Sequence, residues 1–277
     1  MTSARRSIGP RDVTEWRSRG GRRFLESQRR LAARRRPTTP VVATLAVGAG
    51  IAVAGVWATT FLYDAVTDRD GISRIDRPVL RRAMRLRSPV VNGAAATIAH
   101  LFGPVGLPLL GLAAGGAIAV RTRDPLPMIT VAAAGVGSLL MTLGGKHVVQ
   151  RHRPDRADAI PPYEDSPSFP SGHTLNATVA AGVVAYLLML EEQRNAPQVA
   201  MVGTAAAVAA GVGLSRVLLG AHWFTDVLAG WLLGAAWLAL IITAHRLYLT
   251  ARQRGAPERP PAAALRTRPR ADAPPAP

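Results

Sequence analysis

Residues 41–63, VVATLAVGAGIAVAGVWATTFLY, form an uncharged run of 23 residues. A helix of that length crosses the roughly 30 Å hydrocarbon core of a bilayer, because each residue adds about 1.5 Å. Further apolar runs occupy 105–120, 126–145, 174–190, 198–214 and 227–244, some of them short for a spanning helix. Soluble helices of a bundle keep a polar face, and these segments mostly lack one. Glycine and alanine recur inside them, as they do where membrane helices pack closely. The expected fold class is therefore an all-α integral membrane protein with six transmembrane helices. The apolar stretch 90–103 fits either an interfacial element or the start of the second span.

The charge is segregated from these runs. Formal net charge is +17, and all but one of the 34 strongly basic residues are arginine. Residues 1–39 hold twelve arginines and few apolar side chains. Such a block could bind nucleic acid, but its position beside the first span favours contact with anionic lipid head groups, and no nucleic acid is expected as a partner. About forty mostly polar residues precede the first span, which does not fit a cleavable signal peptide. The tail 251–277, rich in Pro, Ala and Arg, reads as disordered, so the domain expected to fold is 40–250.

Six spans place both ends on one side. With both termini cytoplasmic, the inner segments carry 22 basic and 8 acidic residues, and the outer ones 12 and 9. That bias follows the positive-inside rule. The outer segment 78–88 is basic, yet Val79, Leu80, Ala83 and Met84 share a face opposite Arg81, Arg82 and Arg85. It is suited to lie along the interface. Cysteine is absent, which excludes disulfides and thiolate metal sites.

Three polar clusters interrupt the apolar pattern. Lys146 and Arg153, with Pro154, follow the third span, and Lys146 is the only lysine in the chain. Ser171, Gly172 and His173 open the fourth span within SPSFPSGHT. Ser215 and Arg216 end the fifth, and His222 and Asp226 open the sixth. The order of crossings puts all three clusters at one membrane face, the outer one under this orientation.

Three cations, two histidines and a carboxylate at one face suggest a phosphate site. Lys146 and Arg153 are seven residues apart, so on a continuous helix they share a face. Guanidinium groups grip paired phosphate oxygens, and an ammonium supplies a compact charge. Ser171 and Gly172 stand where a helix begins, where free backbone N–H groups attract anions. Asp226, four residues beyond His222, can hold one imidazole nitrogen and leave the other to attack phosphorus. His173 is the candidate to protonate the leaving oxygen and then to activate water.

In these motifs the chain resembles the type 2 phosphatidic acid phosphatase family. Its signature, Lys-x6-Arg-Pro, Pro-Ser-Gly-His and Ser-Arg-x5-His-x3-Asp, is matched without departure by Lys146 to Pro154, Pro170 to His173 and Ser215 to Asp226. The resemblance implies a metal-independent, cofactor-free phosphatase in which Lys146, Arg153, Ser171, Gly172 and Arg216 hold phosphate. It also implies His222 as nucleophile, Asp226 as its orienting partner and His173 as acid. The expected substrate is a lipid phosphate drawn from the bilayer: phosphatidate, phosphatidylglycerophosphate or a polyprenyl diphosphate, the last slightly favoured by analogy. Soluble acid phosphatases and vanadate haloperoxidases share the signature, but the hydrophobic spans argue against both. Two other classes compete. A transporter would carry its ionisable groups near the bilayer midplane, not at span ends. A basic membrane-bound scaffold or nucleic-acid-binding protein would depend on residues 1–39.

Overall fold

A serine followed by proline sets where one helix begins, and left-handed residues set where two others stop. The computed structural model describes Ser7–Ile8, Arg11–Asp12 and residues 39–255. It divides into two units, Met1–Val47 and Gly48–Pro277. The first contains a two-residue antiparallel pair, β1 (Ser7–Ile8) and β2 (Arg11–Asp12), with Ser7 opposite Asp12. Most of the basic segment 1–39, read above as disordered and lipid-binding, lies outside the described residues. The unit boundary falls inside the first helix, α1 (Thr39–Thr67).

In the second unit the helices are α2 (Asp76–Arg85), α3 (Pro89–Leu101), α4 (Gly106–Thr122), α5 (Leu126–Val149), α6 (Gly172–Met189), α7 (Asn195–Leu218) and α8 (Phe224–Gly255). Ser88 caps α3 by accepting the Val91 N–H at 3.3 Å, and Pro89 stands in its first turn, where its missing donor costs nothing. Arg123 and Gln150, both in the left-handed region, end α4 and α5. Helix α8 runs through Gly255, and the tail beyond it lies outside the described residues.

Among the described residues five helices are long and apolar enough to span a membrane, and α3 with α4 make a sixth candidate, bent by 58°. The ambiguous stretch 90–103 is thus a helix of its own, joined to α4 through a break at 102–105. Side-chain contacts show that this bent pair carries the chain from one end of the bundle to the other. Asp76, just after α1, touches Arg151 at the end of α5. Arg121, at the end of α4, pairs instead with Glu191 beyond α6, and Asp124 pairs with Arg252 near the end of α8. The chain is all-helical in its membrane part and multi-pass.

Helix α6 is the central element, packed against α5, α7 and α8. Leu175, Val179 and Val183 on α6 form one core with Ala134 of α5. Two tryptophans of α8 cross to neighbouring backbones: Trp237 Nε1 donates to Ala134 O on α5, and Trp231 Nε1 to Ala209 O on α7. By contrast Trp57, Val136 and Val199 face outward and are more than half exposed, the arrangement expected when the solvent is lipid. Helix α2 buries Leu80 and Ala83, the latter against Val217 of α7 and Val227 of α8, while Arg81, Arg82 and Arg85 stay exposed. Its apolar face therefore covers protein rather than lipid.

Candidate active site

The three motifs meet at the end of the bundle where α5 stops, α6 starts and α7 turns into α8. Lys146 stands in the last turn of α5. Arg153 does not continue that helix as the seven-residue spacing suggested. Gln150 at φ 50° terminates α5, and Arg153 reaches the site from the loop that follows. One loop residue, Ser166, reunites the two cations. Lys146 Nζ donates to Ser166 Oγ at 2.6 Å, and Arg153 Nε donates to the Ser166 carbonyl at 2.6 Å.

Ser171 is the residue preceding α6 and is fully buried. Its backbone N–H is already committed, donating to the Asp226 carbonyl at 3.0 Å, and its hydroxyl pairs with Thr174 Oγ1 at 2.9 Å. The expectation of a free Ser171 amide is corrected accordingly: that amide ties α6 to α8. Gly172 lies so close to α5 that a Cβ would stand 2.7 Å from Thr142 Cγ2, so a side chain here would push the helix start away.

His222 precedes α8 and is completely buried. Arg153 NH1 lies 3.1 Å from His222 Nε2, and His222 Nδ1 lies 3.5 Å from Asp226 Oδ2. An arginine can only donate, so Nε2 accepts and the ring proton belongs on Nδ1, which faces the carboxylate without a hydrogen bond to it. Burial, then the charge of Arg153, push His222 well below the ordinary imidazole value. At neutral pH it is an uncharged base with its lone pair toward the cation cluster.

Asp226 is held more firmly than the sequence suggested. Its Oδ2 accepts the Trp223 N–H at 2.9 Å, closing the first turn of α8 in the manner of a capping box. Its Oδ1 accepts Arg151 NH1 at 2.5 Å. Arg151 in turn reaches Asp76 Oδ2 at 2.7 Å, and Asp76 Oδ1 accepts the Thr225 N–H at 2.9 Å. Asp76 and Asp226 are both buried, so each depends on this pairing. Sequence reasoning missed Arg151 and Asp76. Arg151 sits two residues before Arg153, a nearby clue, but nothing local marks Asp76, 75 residues away.

Glu164 was also missed, and it occupies the centre. Its Oε1 accepts Arg216 NH2 at 2.5 Å and lies 3.4 Å from His173 Nδ1. Its Oε2 accepts Arg153 NH2 at 2.7 Å and lies 3.8 Å from His222 Nε2. Burial alone would raise its pKa, but the positive field around it outweighs burial and holds the carboxyl at about 2. Arg216 is fully buried, and its Nε and NH1 have no hydrogen-bond partner. Buried donors left unpaired are costly, and they are positioned for further anion oxygens. The carboxylate sits among two arginines and two histidines.

The Glu164→Gln variant should bind inorganic phosphate or vanadate about tenfold more tightly, since a charge-assisted contact to arginine contributes about 1.5–3 kcal/mol. Because the carboxyl stays ionised far below its usual range, mild acidification will not reproduce the effect. Unchanged inhibition constants in that variant would show that Glu164 does not compete for the cations.

A model of the PAP2 superfamily matches residues 126–248. Phosphatidylglycerophosphatase B of Bacillus subtilis is 36% identical over 173 residues, covering 61% of this chain and 83% of that protein. Decaprenylphosphoryl-5-phosphoribose phosphatase of Mycolicibacterium smegmatis is 33% identical over 157 residues, 54% of this chain and 77% of that protein. Among solved structures, the transmembrane PAP2-type phosphatidylglycerolphosphate phosphatase from Bacillus subtilis aligns with a TM-score of 0.65 at 27% identity. The alignment covers 71% of this chain and 96% of that one.

Proposed function

The chain belongs to the PAP2 superfamily, in its branch of metal-independent membrane lipid phosphatases, and we propose that it removes a terminal phosphate from a lipid head group through a phosphohistidine intermediate. The observation that carries this reading is the cage around Glu164: two arginines and two histidines converge on one anion, with two donors of Arg216 still unpaired. In the proposed reaction Arg153, Arg216, Lys146 and the start of α6 at Ser171 and Gly172 hold the phosphate. His222 Nε2 attacks phosphorus, its Nδ1 proton stabilised by Asp226. The bond to the leaving oxygen breaks as His173 delivers a proton to it. Water then attacks the phosphohistidine, His173 takes its proton, and phosphate leaves.

The relatives act on phosphatidylglycerophosphate and on decaprenylphosphoryl-5-phosphoribose, as their names state. Both substrates end in a phosphomonoester, and both are lipids. That favours a terminal monoester here over the polyprenyl diphosphate preferred from sequence. The deciding experiment is phosphate release by the purified chain from phosphatidylglycerophosphate, phosphatidate and a polyprenyl diphosphate, in neutral detergent with EDTA. Release from at least one supports the reading; no release from any lipid phosphate ends it.

The orientation is proposed from charge bias: both termini cytoplasmic, the site outward. The chain lacks cysteine, so Ala159→Cys gives a single target in the 3₁₀ turn region after Arg156–Asp158. An impermeant thiol reagent added to intact cells should label it. Labelling only after the membrane is opened reverses the orientation.

Lys146 is proposed as a compact charge in a site already served by two guanidinium groups. The neighbouring helix turn is tight: a Cβ at Gly145 would stand 2.5 Å from Pro170 Cδ. A planar guanidinium at 146 would therefore shift the phosphate from the line of attack, and about 1 Å of misplacement costs on the order of a hundredfold in rate. Lys146→Arg should lose about that much turnover while folding normally. Wild-type turnover would reduce Lys146 to a charge at a span end, where arginine serves equally well.

A further inference from the structure

Beside the cage lies a second, larger cavity that the proposed chemistry does not use. It has a volume of about 1050 Å³ and is bounded by the end of α1, by α2 and by the loop after α5. Six arginines line it, Arg69, Arg74, Arg77, Arg81, Arg151 and Arg153, against three aspartates. Asp76 is engaged by Arg151 and Thr225, and Arg74 is paired with Asp70. Among the described residues no ion pair reaches Arg69, Arg77 or Arg81.

Gathering like charges around a cavity is unfavourable unless an anion is shared between them. Arg77 and Arg81 are four residues apart on α2, one helical turn, so they present a paired wall to the cavity. Arg151 and Arg153 stand on the other side. Interleaved with the charges are apolar side chains, Val66, Leu80, Met84 and Val149. A wall that alternates guanidinium and aliphatic groups fits a ligand with an anionic group next to a hydrocarbon chain. Arg153 belongs to both places: it lines this cavity and grips Glu164 in the cage.

We infer that this basin is a second anion subsite, which takes the net-negative phosphodiester of a lipid head group. The inference rests on the lipid-phosphatase reading and extends it. A substrate whose terminal phosphomonoester is joined through a short polyol or sugar to a phosphodiester would place one phosphate in the cage and the other in the basin, with Arg153 between them. A neighbouring anionic phospholipid offers the same phosphodiester from a second source. Phosphatidate, with its phosphate directly on the diacylglycerol, would leave the basin to such a neighbour.

The test uses the full chain in neutral detergent and the double variant Arg77→Gln/Arg81→Gln. Among the described residues no ion pair joins either side chain to the groups placed in the cage, and glutamine keeps a polar side chain while removing the charge. Binding is measured with dioctanoyl phosphatidylglycerol, with dioctanoyl phosphatidylcholine as the uncharged control. Wild type should prefer phosphatidylglycerol by about tenfold, a preference that fades at high salt and is lost in the variant. In turnover, the variant's kcat/KM toward phosphatidylglycerophosphate should fall about tenfold, through KM, while that toward dioctanoyl phosphatidate is unchanged. This pattern identifies the substrate's own phosphodiester as the ligand. If turnover of both substrates responds only when phosphatidylglycerol is added, the basin still holds a phosphodiester, supplied by a neighbouring lipid. Equal binding of the two lipids by wild type, with unaltered kinetics in the variant, overturns the subsite. Should no lipid phosphate be hydrolysed at all, the functional reading fails while the binding arm still decides the basin.

Discussion

His222→Ala should turn over substrate on the order of 10⁴-fold more slowly than wild type, or below detection, because removing a covalent nucleophile leaves only positioning and charge stabilisation. The wild-type chain, quenched within its first turnover on labelled substrate, should carry phosphate that is stable in base and labile in acid, mapped to residue 222. His222 is fully buried and touches Arg153, so alanine leaves a hole and takes one acceptor from Arg153, which keeps Glu164. His222→Gln keeps most of the volume and a polar tip, and it should be as inactive while folding as wild type does. Label found on another residue, or substantial turnover by a folded glutamine variant, would remove His222 from the proposed role.

The second large effect is expected at Arg216. Two of its donors are buried without partners, and a phosphoryl group in transfer spreads charge over its equatorial oxygens. Donors already aimed at that charge need no reorganisation when it develops. Arg216→Met should therefore lower kcat on the order of 10³-fold. Stability should respond quite differently. The guanidinium is costly to bury, its partner Glu164 keeps Arg153, and a methionine fills the space with apolar atoms. The thermal midpoint of the variant in detergent should be unchanged or higher. A collapse of the fold with a proportionate loss of activity would instead make Arg216 a structural residue.

What could be read in advance follows from how far apart the partners lie. Spans were legible because a lipid-facing helix must be apolar along most of its length, as α1, α5 and α8 are. The meeting of the eight candidate residues at one end of the bundle was legible because each sits in a short stretch near a helix end, where intervals in sequence translate into positions in space. Arg153 shows the limit of that translation: the interval was right for a helix, but Gln150 ends the helix first. The break at 102–105 was hidden because α3 and α4 are both apolar and composition alone does not show a 58° bend. Asp76 and Glu164 were beyond reach for a stronger reason. Asp76 opens α2 and Glu164 lies in a loop, each with acidic and basic neighbours, and only tertiary placement selects one carboxylate among them. The buried face of α2 was read correctly as a face, while its partner, protein instead of lipid, depended on packing with α7 and α8.

Glu164 also changes what kind of event substrate binding is. A cage of bare arginines would attract any phosphate from a distance, and its affinity would fall steeply with salt. Here the seat is already filled by a tethered anion. In the proposed reaction, arrival of substrate is thus an exchange of one negative group for another at Arg153 and Arg216. Two consequences follow. Hydrolysis should depend on ionic strength far less than the +17 charge of the chain would suggest. Departure of free phosphate should be assisted, since the carboxylate returning to Arg153 and Arg216 replaces the very contacts the product must give up. The enzyme would finish each cycle by neutralising itself.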